Sequence, residues 1–176
     1  MTLGEIAWDF DHPPYTLEVG TLCAAWSFFE LVTDDILWGI LGVEPNIGSM
    51  ISSQKDMVGR WSLILQHAPS KVTEDEMEMF RKINKALVVT ASDRNIVIHG
   101  QIMIQQDTNL AYAKITRGAN AGKFHFISAD IVKLIRNNII YLCYSAGHVG
   151  NKYGWLKTYP AGPIITDWVK PVEGFQ

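Results

Sequence analysis

The stretch Arg94-Asn95-Ile96-Val97-Ile98-His99-Gly100 closes a long amphipathic run, and the run upstream of it decides the fold. Met77, Phe80, Ile83, Leu87 and Ala91 recur at spacings of three and four, the repeat of one helix face, and Arg94 and Ile98 continue it. Thr73 and Glu76 form a capping box ahead of the run, and Asp75 complements the helix dipole. The spacing predicts a helix that opens at Thr73, carries the quoted stretch near its C-terminal end and stops at Gly100.

Working toward the N-terminus, Leu22, Ala25, Trp26, Phe29, Val32, Ile36 and Ile40 predict a largely buried helix over 17–41. Gly42 sits where a helix-terminating glycine belongs, and Pro45 prevents continuation. A further helix is expected from Asn46 to His67, weakened by Gly48 and Gly59 and ended by Pro69. Pro13 and Pro14 argue for irregular chain over 1–17, with Trp8 and Phe10 packed on the body.

Toward the C-terminus the period changes. Ile102-Met103-Ile104, 111–116 and 123–127 read as short strands, with turns at Asp107-Thr108-Asn109 and 117–122. A last helix is expected after Ser128, with Asp130 in its first turn, Ile131, Leu134, Ile135, Leu142 and Ala146 facing the core, and an end near Gly147. The tail 148–176 holds three prolines, and Trp155, Trp168 and Phe175 suggest that it wraps on the surface. The expected fold is mainly α: one domain over 1–176, a four- to five-helix bundle with a small antiparallel β-hairpin or three-stranded insertion at about 101–127.

Within the quoted stretch, Asn95 and His99 lie four positions apart, on one side of a helix, while Arg94 and His99, five apart, flank one edge rather than stack. A guanidinium can hold phosphate oxygens in a fork and oppose charge developing there. An imidazole can carry a proton to or from an attacking or leaving oxygen, and an amide can orient either group. Ile96, Val97 and Ile98 make the polar groups exceptions in a segment expected to be buried. The residues alone leave structural roles open. Arg94 could pair with Asp93 of a second copy, or with Glu30 or Asp34 on the first helix, and His99 could donate to a carbonyl near the helix end.

Arg94, Asn95, His99 and Gly100 resemble the signature of the HEPN superfamily: helical domains marked by an Arg, a polar residue straight after it, and a His a short spacer on. The resemblance in general layout covers about 18–147. It implies a metal-independent endoribonuclease in which a ribose 2′-hydroxyl attacks the adjacent phosphate. His99 would act as acid or base, Arg94 would stabilise the transition state, and Asn95 would orient substrate or His99. It also implies a homodimer with both motifs in a shared cleft, in a toxin or defence effector with an antitoxin or regulatory partner. The alternatives are a non-catalytic HEPN-like module that binds a nucleotide, RNA or a partner protein, and a structural motif in some other helical protein. One departure from the pattern is the set of strands between His99 and Ser128, which could roof the cleft, form a dimer edge or block substrate.

Lys114, Arg117 and Lys123 on the expected hairpin could contact a phosphate backbone, or form a solvated tip. Charge is uneven: residues 1–79 hold three basic and thirteen acidic side chains, residues 80–148 nine and three. The basic block can attract polyanions, or the two halves can pair with each other within the fold or across a dimer. Cys23 and Cys143 lack metal-ligand spacing and read as buried thiols, so no metal or cofactor is expected. Glu30, Asp34 and Asp35 read as a solvated or Arg-paired face rather than a cation site, His12, His67, His125 and His148 as surface or turn residues, and Arg136-Asn137 as helix surface. No phosphate-binding glycine loop is present. Without a visible signal peptide or membrane span, the expected location is cytoplasmic.

Overall fold

The structure, a computed structural model, describes residues 13–105, 110–114, 122 and 124–157. It is mainly helical. The order is α1 (Pro13–Leu41), α2 (Pro45–Ser52), α3 (Met57–His67) with a 3₁₀ turn at Ala68–Ser70, α4 (Glu74–His99), strands β1 (Gln101–Gln105), β2 (Leu110–Lys114) and β3 (Phe124–Ile127), and α5 (Ala129–Lys152).

Three helix boundaries differ from expectation. Helix α1 begins at Pro13 rather than after an irregular 1–17. A proline is tolerated in the first helical turn, where its missing N–H has no partner to lose. The helix expected over 46–67 is two helices, because Asp56 leaves helical geometry and its carboxylate accepts from the Gly59 N–H at 2.8 Å, starting α3 afresh. Helix α5 runs past Gly147 to Lys152. Its Gly150 is a contact point rather than a breaker: a Cβ there would lie 2.8 Å from Leu156 and 3.0 Å from Ile36.

Helix α4 follows the sequence closely. Thr73 Oγ1 accepts from the Glu76 N–H and the Glu76 carboxylate accepts from the Thr73 N–H, closing the capping box. Gly100 takes extended geometry just past His99 and ends the helix. Met77, Phe80, Ile83, Leu87 and Ala91 are buried as expected, but the stripe then passes through Val97 rather than through Arg94 and Ile98, which are half-buried.

Helices α1, α3, α4 and α5 enclose the core. Leu22, Trp26, Phe29, Val32, Ile36 and Ile40 line α1, and Met57, Trp61 and Ile64 line α3. On α5 the buried face runs Val132, Ile135, Ile139, Leu142, Ala146 and Val149. Leu134, expected inside, is 36% exposed, and Ile131 is half-buried, so the face is rotated from the expected one. Aromatic rings run through the centre: Trp26 meets Phe29 edge-on at 6.4 Å, Phe29 meets Trp61 at 6.1 Å, and Trp61 meets Phe80 edge-on at 5.6 Å. Such pairs each contribute about 0.5–1.5 kcal/mol beyond the area they bury. The Trp61 N–H donates to Thr33 Oγ1 at 3.1 Å, so the indole at the centre leaves no buried donor orphaned.

Strands β1, β2 and β3 form an antiparallel ladder in that order, with Met103 opposite Tyr112 and Tyr112 opposite Phe126. The turns expected at 107–109 and 117–122 lie outside the described residues, Gly122 excepted. Beyond α5, Gly154 at φ +67° turns the chain, Trp155 stacks on Tyr153 at 4.7 Å, and its ring covers Gly39 so closely that a Cβ there would lie 2.3 Å away. Trp155 therefore wraps on the bundle as expected, while Trp168, Phe175, Trp8 and Phe10 lie outside the described residues.

Acidic groups of the first half reach basic groups of the second. Glu18 on α1 pairs with Arg136 on α5 and Glu76 pairs with Lys152, while the backbone N–H of Lys157, not its ammonium, donates to Asp35. Part of the charge asymmetry is thus resolved inside the fold. Among the described residues no helix is long and apolar enough to cross a membrane.

Candidate functional site

The last turn of α4 presents three polar side chains together. Arg94 Nη1 donates to Asn95 Oδ1 at 3.1 Å and lies 3.3 Å from His99 Nε2. Arginine has donors and no acceptor, so in this contact Nε2 is the acceptor. Although the two lie five positions apart, the arginine side chain is long enough to span them and close the contact. His99 sits in the last turn of α4, where the helix dipole favours a basic group.

The segment is not the buried stretch the sequence suggested. Asn95 and His99 are exposed, Arg94, Ile96 and Ile98 are half-buried, and only Val97 is fully inside. The polar groups face solvent because Val97 alone carries the core stripe through this turn. An anion can therefore reach Asn95 and His99 from outside the bundle.

Arg94 is held from α1. Its guanidinium carbon lies 5.1 Å above the centroid of the Trp26 ring, within cation–π range. Its Nε is buried without a hydrogen-bond partner. Trp26 is 7% exposed, and its indole N–H donates to Glu30 Oε1 at 3.2 Å. Of the carboxylates suggested as partners for Arg94, Glu30 is engaged by Trp26 and Asp34 by Arg60 at 3.3 Å. Among the described residues Arg94 forms no ion pair. Asp93, the preceding residue, is half-buried, and burial pushes its carboxyl up to about 6.

Lys114, one of the three expected phosphate contacts, ends β2 opposite Gln101, two positions past His99, so the ladder places its backbone beside the end of α4. Its side chain, and both Arg117 and Lys123, lie outside the described residues.

The other candidates fall away from the cluster. Arg136 is not free helix surface: it bonds Glu18, Thr21 and Asn137 and ties α5 to α1. His125 lies half-buried on β3 rather than in a turn, His67 and His148 are exposed, and His12 is outside the described residues. Cys23 is half-buried rather than buried, and burial pushes the Cys143 thiol up to about 12. Among the described residues no group of three or more His, Cys, Asp or Glu is placed to hold a metal ion.

Trp26 is the residue that sequence reasoning missed as part of the site. Its only signal was apolar spacing on α1, which places it in the core but says nothing of the guanidinium above it. No known protein family, curated protein or solved structure matches the chain.

Proposed function

We propose that the chain is a HEPN-type endoribonuclease that cleaves RNA without a metal, by attack of a ribose 2′-hydroxyl on the adjacent phosphorus. The observation that carries the reading is the guanidinium of Arg94 in contact with both Asn95 and His99 at the exposed end of α4, with no carboxylate bound to it among the described residues.

His99 Nε2, with its lone pair free once substrate displaces Arg94, takes the proton from the 2′-hydroxyl. The 2′-oxygen–phosphorus bond forms and the phosphorus–5′-oxygen bond breaks, giving a 2′,3′-cyclic phosphate. Arg94 opposes the charge that develops on the phosphoryl oxygens, and Asn95 orients substrate or imidazole. The fold is read as a HEPN-like bundle that works as a homodimer, in which a second His99 carrying a proton supplies it to the leaving 5′-oxygen. Lys114, Arg117 and Lys123, carried by the strands after α4, bind the RNA backbone. The biological setting is a cytoplasmic toxin or defence effector held in check by an antitoxin or regulatory protein.

The test is cleavage of single-stranded RNA with chelator present. Wild type cleaves, and Arg94→Ala and His99→Ala each reduce the rate by roughly a hundredfold or more with the fold intact. Equal activity in all three, or none in the wild type, overturns the reading.

A second reading rests on a different aspect of the same geometry. Arg94 Nη1 is already shared between Asn95 and His99, so this donor is occupied at rest. This suits a non-catalytic module that binds a nucleotide, RNA or a partner protein. Salt-dependent RNA binding without cleavage is its signature.

A further inference from the structure

We infer that Trp26 is a positioning residue for Arg94: it holds the guanidinium in register with His99 through its ring face, with no carboxylate bound to the guanidinium among the described residues, which leaves it open to an anionic substrate. The inference rests on the nuclease reading above for its consequence in catalysis, and on geometry alone for the contact itself.

An arginine presented from a helix needs something to fix a long, flexible side chain. The usual partner is a carboxylate, which fixes the group but also neutralises it and competes with a phosphate for the same N–H donors. Here the fixing element is different in kind. The Trp26 ring lies beneath the guanidinium at 5.1 Å and draws it by its quadrupole, without taking a hydrogen bond from it. The edge bearing Nη1 is aligned by Asn95 and His99. The carboxylate of Glu30 accepts from the indole N–H at 3.2 Å. Glu30 thereby fixes the ring that fixes the arginine, and Arg94 keeps its charge.

The platform is itself rigid. Trp26 is 7% exposed and meets Phe29 edge-on at 6.4 Å, Phe29 in turn leans on Trp61, and Trp61 meets Phe80 in the core. The exposed cluster is thus referenced to the centre of the bundle, and the spacing of α1 from α4 sets where the guanidinium sits.

The experiment uses Trp26→Phe, which keeps a ring face, and Trp26→Leu, which keeps apolar volume only. In RNA cleavage, Trp26→Leu lowers kcat about tenfold with KM changed less than about twofold, and Trp26→Phe stays within about threefold of wild type. Trp26→Leu added to Arg94→Ala lowers the residual rate no further, because the ring acts only through the guanidinium. A loss in KM alone, or an equal loss in the Arg94→Ala background, overturns the inference.

An independent readout is the NMR signal of the Arg94 Nε–H. In wild type and Trp26→Phe it is shifted by the ring current and exchanges slowly, and in Trp26→Leu both effects vanish. An unshifted, fast-exchanging signal in the wild type overturns the positioning role whatever the activity. A wild type that cleaves nothing but shows the shifted signal defeats the nuclease reading and supports the contact.

Discussion

Arg94 Nη1 and His99 Nε2 lie 3.3 Å apart at the end of α4, and the arginine can only donate in that contact. In that contact the Nε2 lone pair faces the guanidinium. The contact also keeps the guanidinium and the imidazole as close together as the proposed nuclease chemistry requires.

Arg94→Lys tests the geometry of the cation rather than its charge. A lysine ammonium keeps the charge, but it is a point charge without the planar fork and without the same stacking on Trp26. RNA cleavage is expected to fall by roughly a hundredfold with the melting temperature nearly unchanged. Steady-state rates beside thermal melts check this, and a lysine variant with full activity would show that charge alone suffices.

Glu76 joins the start of α4 to the end of α5, and its stability contribution should depend on pH. Burial opposes its ionisation, but hydrogen bonds from Lys152, Tyr153 and Thr73 outweigh this and hold the carboxyl at about 2. Its folded value is below the ordinary 4.5, so the contribution is present above that value and is lost as pH falls toward about 2. Glu76→Gln should cost about 2 kcal/mol near neutrality, with the gap to wild type closing in acid. Urea unfolding at neutral and acid pH measures both, and a gap that stays constant with pH contradicts the assignment.

Asp93 gives the opposite sign. Burial raises its carboxyl from 3.8 to about 6, so the folded state holds a proton that the unfolded state has released. Stability is lost as pH rises through that window, and the cost is complete above about 6. With solvent screening at a half-buried site allowed for, Asp93→Asn should gain about 1 kcal/mol at neutral pH and nothing in acid. Thermal melts across the window decide it, and a variant less stable than wild type at neutral pH would mean that the carboxylate has a stabilising partner.

Helix α4 was legible because its signals are local: Thr73 and Glu76 close a box four residues long, and Gly100 ends the run. The break between α2 and α3 was not, because 53–56 holds neither glycine nor proline and the start of α3 is set by one carboxylate, Asp56. The α5 face was misjudged around Leu134, since contacts with α1 and α4 rather than the helix's own periodicity choose which residues turn inward. At the site, Arg94, Asn95 and His99 were readable as residue types at helical spacing. Their contact was not, because Cβ positions five apart say little about where a long guanidinium ends. Trp26 was hidden for a further reason: stacking depends on how α1 is placed against α4, which no local pattern encodes.

The most direct measurement is the chemistry of the cut ends. Purified protein is incubated with a short single-stranded RNA in chelator, alongside the same RNA carrying 2′-deoxyribose at the cleaved position, and products are weighed by mass spectrometry. The account predicts a 2′,3′-cyclic phosphate from the RNA, no cut at the deoxy position, and loss of the product in Arg94→Ala. Cleavage of the deoxy substrate, or the same products from Arg94→Ala at the wild-type rate, would contradict it.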